Sequence, residues 1–447
     1  MSDKKYTQKA VPSSRLSRFA SIGGMAASLS GNIIKNTMSA AFKAQKPNTQ
    51  NTLLNINNAH TITKHLANMR GAAMKIGQML SMDAGELLPA EWEPILALLR
   101  EEANSMPKAQ LLAVLQQNWG DDWQDKFAYF SFEPIAAASI GQVHRARLKS
   151  GEDLAVKVQY PGVAQSIDSD IDNVAGLLKL TRLVPKGLDI ENILEQAKTQ
   201  LKQEADYYTE LGFLQQYHRH FADDPRFIIP RAHEALCSRH ILCMEFIDAR
   251  PMAELAYEPI ALKNEIVSNL FDLVFSELFR FRFTQSDPNF ANFLYQPESK
   301  KLVLLDFGAC ITLSENTSVG YLKMARAMQS QNREDMLKAL LELGLLNPQT
   351  PDSAIQIVID ACDTASEVLQ TDCYNFKQTQ IIQRLQKQSQ GLITEKDAIA
   401  SPEFDVALVN RKVSGTVMLA NKMNVDIKLR DLLAPYIEGL TENKEPI

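Results

Sequence analysis

Thr284-Gln-Ser-Asp-Pro-Asn-Phe-Ala-Asn292, followed by Leu304-Leu-Asp-Phe-Gly308, is the stretch on which the reading of this chain turns. Asn292 and Asp306 offer an amide and a carboxylate oxygen, the hard donors that Mg²⁺ takes. Asp287 stands where a base would orient or deprotonate a hydroxyl nucleophile. Taken alone, Asp287 before a proline is also an ordinary turn-capping aspartate, and an Asp-Phe-Gly tripeptide arises by chance. A hairpin is expected between the two segments, with strands at 292–295 and 302–305 around Pro297-Glu298-Ser299.

Working back toward the N-terminus, Lys157 ends Ala155-Val156-Lys157 on an expected strand, sixteen residues after Gly141. A strand lysine there can reach the α/β-phosphates of a nucleotide as a point charge, although a solvated strand lysine is the plain alternative. Ahead of it, Ala136, Ala137, Ala138 and Ser139 lead through Ile140 to Gly141 and Gln142 in a strand-turn-strand setting. Small residues in such a turn let backbone N–H groups approach phosphates. The order of small-residue turn, strand lysine, Asp-x₄-Asn and Asp-Phe-Gly is that of protein kinases. The fold class it predicts is α+β: a kinase-like two-lobed fold with a helical N-terminal extension and a helical C-lobe. The departures count equally. No Gly-x-Gly-x-x-Gly occurs, and alanine makes a positive φ costly. No His-Arg-Asp precedes Asp287, no Ala-Pro-Glu follows Gly308, and helix is expected again by Tyr321, which leaves little room for a phosphorylatable activation loop.

The rest of the chain divides around this centre. Residues 1–50 form a basic head, 51–118 a helical extension, 119–247 a strand-rich lobe with inserted helices, and 248–447 a helical lobe. Helices are expected over 62–80, from Pro89, and from Pro107 with Ser105 as cap. Another helical stretch runs from Ile167 to about His220, broken near Pro185-Lys186-Gly187. In 447 residues with a net charge of −6, the head carries eight basic residues against one acid. Its net +7 leaves −13 for the body. The acidic body argues against general nucleic-acid binding, while the head suits an anionic surface. Apolar residues at Leu16, Phe19, Ile22, Ala26, Leu29 and Ile33 approach helical spacing, read either as a membrane-surface helix or as one packed on the protein's own core. The head also has the basic, Ser/Ala-rich character of a transit peptide, with modest arginine content. No run of 18 uncharged apolar residues is present, so no transmembrane helix is expected. Cys237, Cys243, Cys310, Cys362 and Cys373 contain no Cys-x-x-Cys pair and read as buried free thiols in a reducing compartment.

Arg70-Gly-Ala-Ala-Met-Lys75-Ile-Gly77-Gln78, the alanines at 136–138 with Ser139, Glu204-Ala-Asp206 and Thr284–Asn292 together resemble the UbiB family, the aarF-domain atypical kinases of coenzyme Q (ubiquinone) biosynthesis. The likeness runs from about Val11 to at least residue 315 and is closest to the mitochondrial and proteobacterial subgroup. It implies a lid in which the helix of Lys75, Gly77 and Gln78 folds over the nucleotide cleft with Glu204 and Asp206 facing it. It further implies binding of ATP or ADP with Mg²⁺ at Ala136, Ala137, Ala138, Ser139, Lys157, Glu210, Asn292 and Asp306. Asp287 and Lys157 would carry catalysis, and Asn292 and Asp306 the metal. Glu210 is the better match for the glutamate that pairs with Lys157, yet the sequence leaves open which carboxylate meets which lysine. The implied activity is ATP hydrolysis rather than protein phosphorylation, enhanced by lipid. The implied partners are isoprenoid quinone precursors or membrane lipid and a quinone-biosynthesis complex, with room for a homodimer. A non-catalytic nucleotide- and lipid-binding scaffold is the alternative, and a protein kinase the least favoured. Bacterial members carry C-terminal transmembrane helices that the residues from Leu432 onward do not resemble. The expected location is therefore the cytoplasm, peripheral at an inner membrane, or the matrix in a eukaryote. Removal of residues 1–45 is expected to weaken binding to anionic liposomes in a sedimentation assay; equal binding would show that the head helix packs on the protein instead.

Overall fold

Leu154, Val156 and Val158 recur at every second residue before Gln159, and the Ser150-Gly151 turn that joins this run to Gly141–Leu148 takes a positive φ of 99° at Gly151. The result is a hairpin, and a sheet grows around it. The computed structural model describes residues 71, 72, 75, 76, 79, 105–181, 190–287, 290–389 and 402–439. The head, most of the expected 62–80 helix, the helix from Pro89, and Gly77 and Gln78 lie outside the described residues. The chain divides into two compact units, residues 1–212 with 231–246, and 213–230 with 247–447.

In the first unit, helix α1 (Lys108–Trp119) leads to strands β1 (Phe127–Phe130), β2 (Ala136–Ala137), β3 (Gly141–Leu148) and β4 (Asp153–Gln159). Helices α2 (Val163–Thr181) and α3 (Ile190–Glu204) follow, then α4 (Tyr207–His220), inside which the division falls. Strand β5 (Phe227–Ile228) belongs to the second unit and β6 (Ile241–Glu245) to the first. The sheet runs β1-β3-β4-β6 with β2 alongside β3, and its pairings are antiparallel. Lys157 sits mid-sheet, between Val143 and Leu242. Leu154, Val156 and Val158 bury one face of β4. Trp119, Trp123, Phe127 and Phe130 pack together at the sheet's edge, and Trp119 Nε1 donates to Leu236 O at 2.9 Å. Ser105 does not cap α1. Pro107 occupies the cap position, and its carbonyl accepts from Gln110 N and Leu111 N. Beyond the break expected near Pro185-Lys186-Gly187, the stretch running to about His220 is two helices on either side of Ala205-Asp206, so Glu204 and Glu210 stand on different helices.

The second unit begins its helical part with α5 (Ile260–Phe275), which passes into a π-turn at Ser276–Phe281 ended by Arg282 at φ 48°. Two small sheets follow from strands β7 (Arg250–Pro251), β8 (Phe283–Gln285), β9 (Phe293–Gln296), β10 (Lys301–Leu304) and β11 (Cys310–Thr312). One sheet has the order β5-β10-β9-β7, and the other pairs β8 with β11. The β9–β10 hairpin was expected; β7, β8 and β11 are too short to show a periodicity. Helix resumes at Glu315, capped by Ser314, in α6 (Glu315–Gln329), followed by α7 (Arg333–Glu342) and α8 (Asp352–Ser366). Further along, α9 (Phe376–Thr379), α10 (Ile381–Ser389), α11 (Phe404–Met423) and α12 (Leu429–Gly439) complete the described chain. No helix among the described residues is long and apolar enough to cross a membrane. All five cysteines are free; Cys243 and Cys310 are buried as expected, whereas Cys373 is exposed.

His144 on β3 shows how polar groups are carried inside the first unit. Its Nδ1 lies 2.8 Å from Ser131 O, an atom that only accepts, so Nδ1 holds the proton and Nε2 accepts from Gln142 Nε2 at 2.8 Å. Burial lowers the His144 pKa to about 4, against a weaker raising effect of the Ser131 carbonyl. Between pH 4 and the ordinary 6.5 the unfolded chain therefore binds more protons than the native one, and stability falls as the solution is acidified. Moving from pH 7 to pH 5 is expected to remove about 2 kcal/mol through this group, a loss that His144→Gln protein escapes. Denaturant unfolding of both proteins at the two pH values checks it; equal losses would clear His144.

Candidate active site

Strand β4 presents Lys157 and helix α4 presents Glu210 to each other inside the first unit. The Lys157 ammonium is 7% exposed as a residue and Glu210 is 1% exposed. Lys157 Nζ donates to both carboxylate oxygens of Glu210, at 2.8 and 2.9 Å, and lies 5.3 Å from the Tyr207 ring centroid. A lysine removed from water to this extent needs such a partner, because its desolvation is not offset otherwise. Gly141 permits the arrangement. A Cβ there would sit 2.5 Å from Val158 O and 2.8 Å from the Tyr207 hydroxyl, so only glycine lets β3 start this close to β4 and α4.

Lys75 takes the other carboxylate. Its Nζ donates to Glu204 Oε1 at 2.8 Å, both groups being buried. Glu204 Oε2 accepts from the Ser139 hydroxyl. The two lysines and two glutamates that the sequence left unassigned are thus paired as Lys75–Glu204 and Lys157–Glu210. The Lys75 helix is fixed to the alanine segment a second way. A Cβ on Gly71 would meet Ser139 O and Ile140 Cγ2, both at 2.9 Å. Ala72, Ile76 and Met79 bury themselves in the same core as Ile140 and Tyr207. Ala136 and Ala137 form the exposed edge strand β2, and Ala138 N donates to Gly141 O to close the turn. Asp206 opens α4: its Oδ1 accepts from Tyr208 N at 3.1 Å and its Oδ2 meets Arg239 at 3.3 Å. The reason is the break at Ala205-Asp206, which gives Asp206 a helix-start geometry.

In the second unit the motif residues surround the β9–β10 hairpin. Asn292 ends a short 3₁₀ turn, and its carbonyl accepts from Leu305 N at 3.0 Å, next to Asp306. Asp306 Oδ1 accepts from Gly308 N at 3.0 Å in a local turn. Asp287 is half-buried and follows Ser286, whose N and Oγ both donate to Ala309 O, at 2.9 and 2.7 Å. The segments carrying the two aspartates are therefore stitched together. The Asn292 side chain is 8% exposed, and its Nδ2 has no hydrogen-bond partner among the described residues. A buried amide left in this state fits a group supplied from outside the chain. Among the described residues no cluster of three or more His, Cys, Asp or Glu could hold a metal by itself. An all-oxygen pair that needs completion by phosphate and water is the donor set Mg²⁺ accepts.

Residues 98–340 match the ABC1 atypical kinase-like domain. The chain belongs to this family. It is 35% identical over 430 residues to "Atypical kinase COQ8, mitochondrial" of Saccharomyces cerevisiae, covering 95% of this chain and 85% of that one. It is 34% identical over 439 residues to "Atypical kinase COQ8B, mitochondrial" of Rattus norvegicus, covering 97% and 82%. The solved complex of Rv3197 with erythromycin from Mycobacterium tuberculosis superposes with a TM-score of 0.61 at 23% identity, over 91% of this chain and 100% of that one, a likeness of fold. Membership makes the chain an atypical kinase with the ATP-binding, metal-using character general to kinase-like folds, and the family resemblance read in the sequence holds.

Gly71, Ser139 as the partner of Glu204, and the residues beneath Gln285 described below were not singled out from sequence for these contacts. Only Gly71 had a signal, as the glycine opening the Lys75 motif. Gly71→Ala is expected to destabilise the protein by about 1–3 kcal/mol through overpacking against a backbone oxygen. Lys75→Met, which strands Glu204, is expected to cost roughly 3 kcal/mol or more. Denaturant midpoints should show the double variant falling short of the sum, since both loosen one contact; strict additivity would separate the two.

Proposed function

We propose that this chain binds ATP or ADP with Mg²⁺, hydrolyses ATP, and serves ubiquinone biosynthesis at a membrane surface. The observation that carries the reading is the bidentate Lys157–Glu210 pair, the arrangement a kinase needs before its lysine can engage nucleotide phosphates. In this reading Lys157 contacts the α/β-phosphates and Asn292 and Asp306 hold the cation. Bound Mg²⁺ would neutralise charge on the phosphate oxygens. Asp287 orients the attacking water and accepts its proton as the γ-phosphoryl group leaves ADP. The residues at 136–139 lie along the phosphates. Lys75, Gly77, Gln78, Glu204 and Asp206 regulate access as a lid carried by the 51–118 extension, and the head at 1–50 meets anionic lipid. The substrate side is an isoprenoid quinone precursor or membrane lipid, handled with other proteins of the same biosynthesis.

One observation favours a second reading, a nucleotide- and lipid-binding scaffold without catalysis: the Ser139 hydroxyl is already committed to Glu204. The two readings separate in one experiment. Purified full-length protein should release phosphate from ATP in a Mg²⁺-dependent way. Asp306→Asn should abolish this, and Asp287→Asn should lower turnover roughly 100-fold or more. Neither variant should restore ubiquinone in a strain lacking the protein. Full rescue by Asp287→Asn, with nucleotide still raising its melting temperature, would establish the scaffold. Unchanged hydrolysis in Asp306→Asn would sink the ATPase reading.

A further inference from the structure

We propose that Lys412, Glu277 and Tyr217 form a buried ionic hub that positions Asp287 by gripping the main chain two residues ahead of it. The proposal rests on the catalytic role of Asp287 argued above. All three residues belong to the second unit and none is part of a motif read from the sequence. Glu277 is 0% exposed and Lys412 3%. Glu277 Oε1 accepts from the Tyr217 hydroxyl at 2.6 Å, and its Oε2 accepts from Thr284 Oγ1 at 2.9 Å and from Lys412 Nζ. Each donor in turn reaches the strand. Lys412 Nζ also donates to Gln285 O at 2.7 Å, and the Tyr217 oxygen accepts from Gln285 N at 2.7 Å. Both main-chain polar atoms of Gln285 are thereby held by the hub, and the side chain of Thr284 with them.

The grip answers a need. Strand β8 has three residues and pairs only with the three of β11 among the described residues, and a ribbon that short is not stable by itself. The chain enters β8 from a π-turn and a left-handed Arg282 at φ 48°, an irregular lead-in that sets no direction for Asp287. A buried ammonium has three N–H donors to satisfy, and Lys412 places one of them on the Gln285 carbonyl, which ties the charge pair to the strand. An ion pair is not required for packing, since apolar residues of similar volume serve a core as well or better. The tyrosine stays a hydroxyl: burial first, then the Glu277 charge, pushes its pKa well above the ordinary value, so it remains able to donate to the carboxylate. Lys412 lies on α11, beyond residues 98–340 that match the family domain, so in this chain a C-terminal helix reaches back to the residues before Asp287.

Tyr217→Phe is the leading test because it keeps the ring's contacts with Phe283 and Phe307, at 5.4 and 4.9 Å, and removes only the hydroxyl. Lys412→Met is the second. In full-length protein, kcat and KM for ATP are measured from Mg²⁺-dependent phosphate release, with nucleotide-induced thermal stabilisation as a check of binding. Each variant is expected to lose on the order of ten-fold or more in kcat, with KM and the thermal stabilisation little changed, since misplacement affects the reacting geometry and not uniform binding. The double variant should be hardly worse than the poorer single one, as members of one unit behave. A Tyr217→Phe protein with wild-type kcat would overturn the proposal, as would one in which KM rises while kcat holds; if Lys412→Met does not fold, Tyr217→Phe decides alone. Asp306→Asn runs in parallel: its failure to reduce hydrolysis would remove the ATPase reading, whereas an inactive Asp306→Asn beside a fully active Tyr217→Phe removes the hub alone.

Discussion

An ammonium group taken out of water must meet a carboxylate at hydrogen-bond distance, or the fold that buries it is not stable. Among the described residues, three lysines are buried against glutamates: Lys75 with Glu204, Lys157 with Glu210 and Lys412 with Glu277. Each pair joins elements far apart in sequence, and each tolerates little displacement, because a charge pulled from its partner remains desolvated. Within each unit the constraint does more than stabilise the fold. It fixes the orientation of Lys157 on β4, anchors the Lys75 helix to Ser139, and ties the strand before Asp287 to a C-terminal helix. Hydrophobic burial supplies the bulk of the stability in both units; the ion pairs decide where a few atoms stand.

The order of chemistry along the chain was legible because each element has a local cause. Apolar alternation and the Gly151 turn give the β3–β4 hairpin, and hard oxygen donors at Asn292 and Asp306 flank an apolar hairpin with its own turn. Spacing along the chain did not assign the pairings between distant charges, since it says nothing about approach in space; only the family resemblance favoured Glu210 for Lys157. Glu204 and Glu210 are six residues apart, yet the break at Ala205-Asp206 puts them on separate helices with different lysines. The same break places Asp206 at the start of α4. Ser105 looked like a cap because serine so often is one, while Pro107 supplied the carbonyl. Strands β8 and β11 escaped notice because three residues cannot display a period.

The alanine segment illustrates how the departures from an ordinary kinase act physically. A glycine-rich loop is free to move and to present its amides. Here Ala136 and Ala137 are paired with Gln142 and Val143 as an edge strand, and the Ser139 hydroxyl belongs to Glu204. Only Gly141 remains, and it is demanded by close approach to Val158 and Tyr207, at an ordinary φ. Flexibility has been exchanged for attachment to the Lys75 helix, so any movement of that helix carries the alanine segment with it through Gly71 and Glu204. In the proposed lid this link is what would couple the Lys75 helix to the alanine segment.

Lys412 shows how such a residue could be found in other sequences. Along α11 the buried positions Val406, Val409, Lys412, Thr416 and Leu419 follow helical spacing, and a lysine stands within an otherwise apolar or small stripe. A lysine in that position has two physical outcomes: the helix end frays and the charge escapes to solvent, or a carboxylate waits inside. In mid-helix the first is closed. The carboxylate must come from elsewhere in the chain, and Glu277, on a turn whose wider π spacing breaks the regular helical pattern, meets the requirement. A buried lysine in the middle of a helix is thus a question about the rest of the molecule. Here the answer leads to the backbone of Gln285, two residues ahead of Asp287, the base of the proposed reaction.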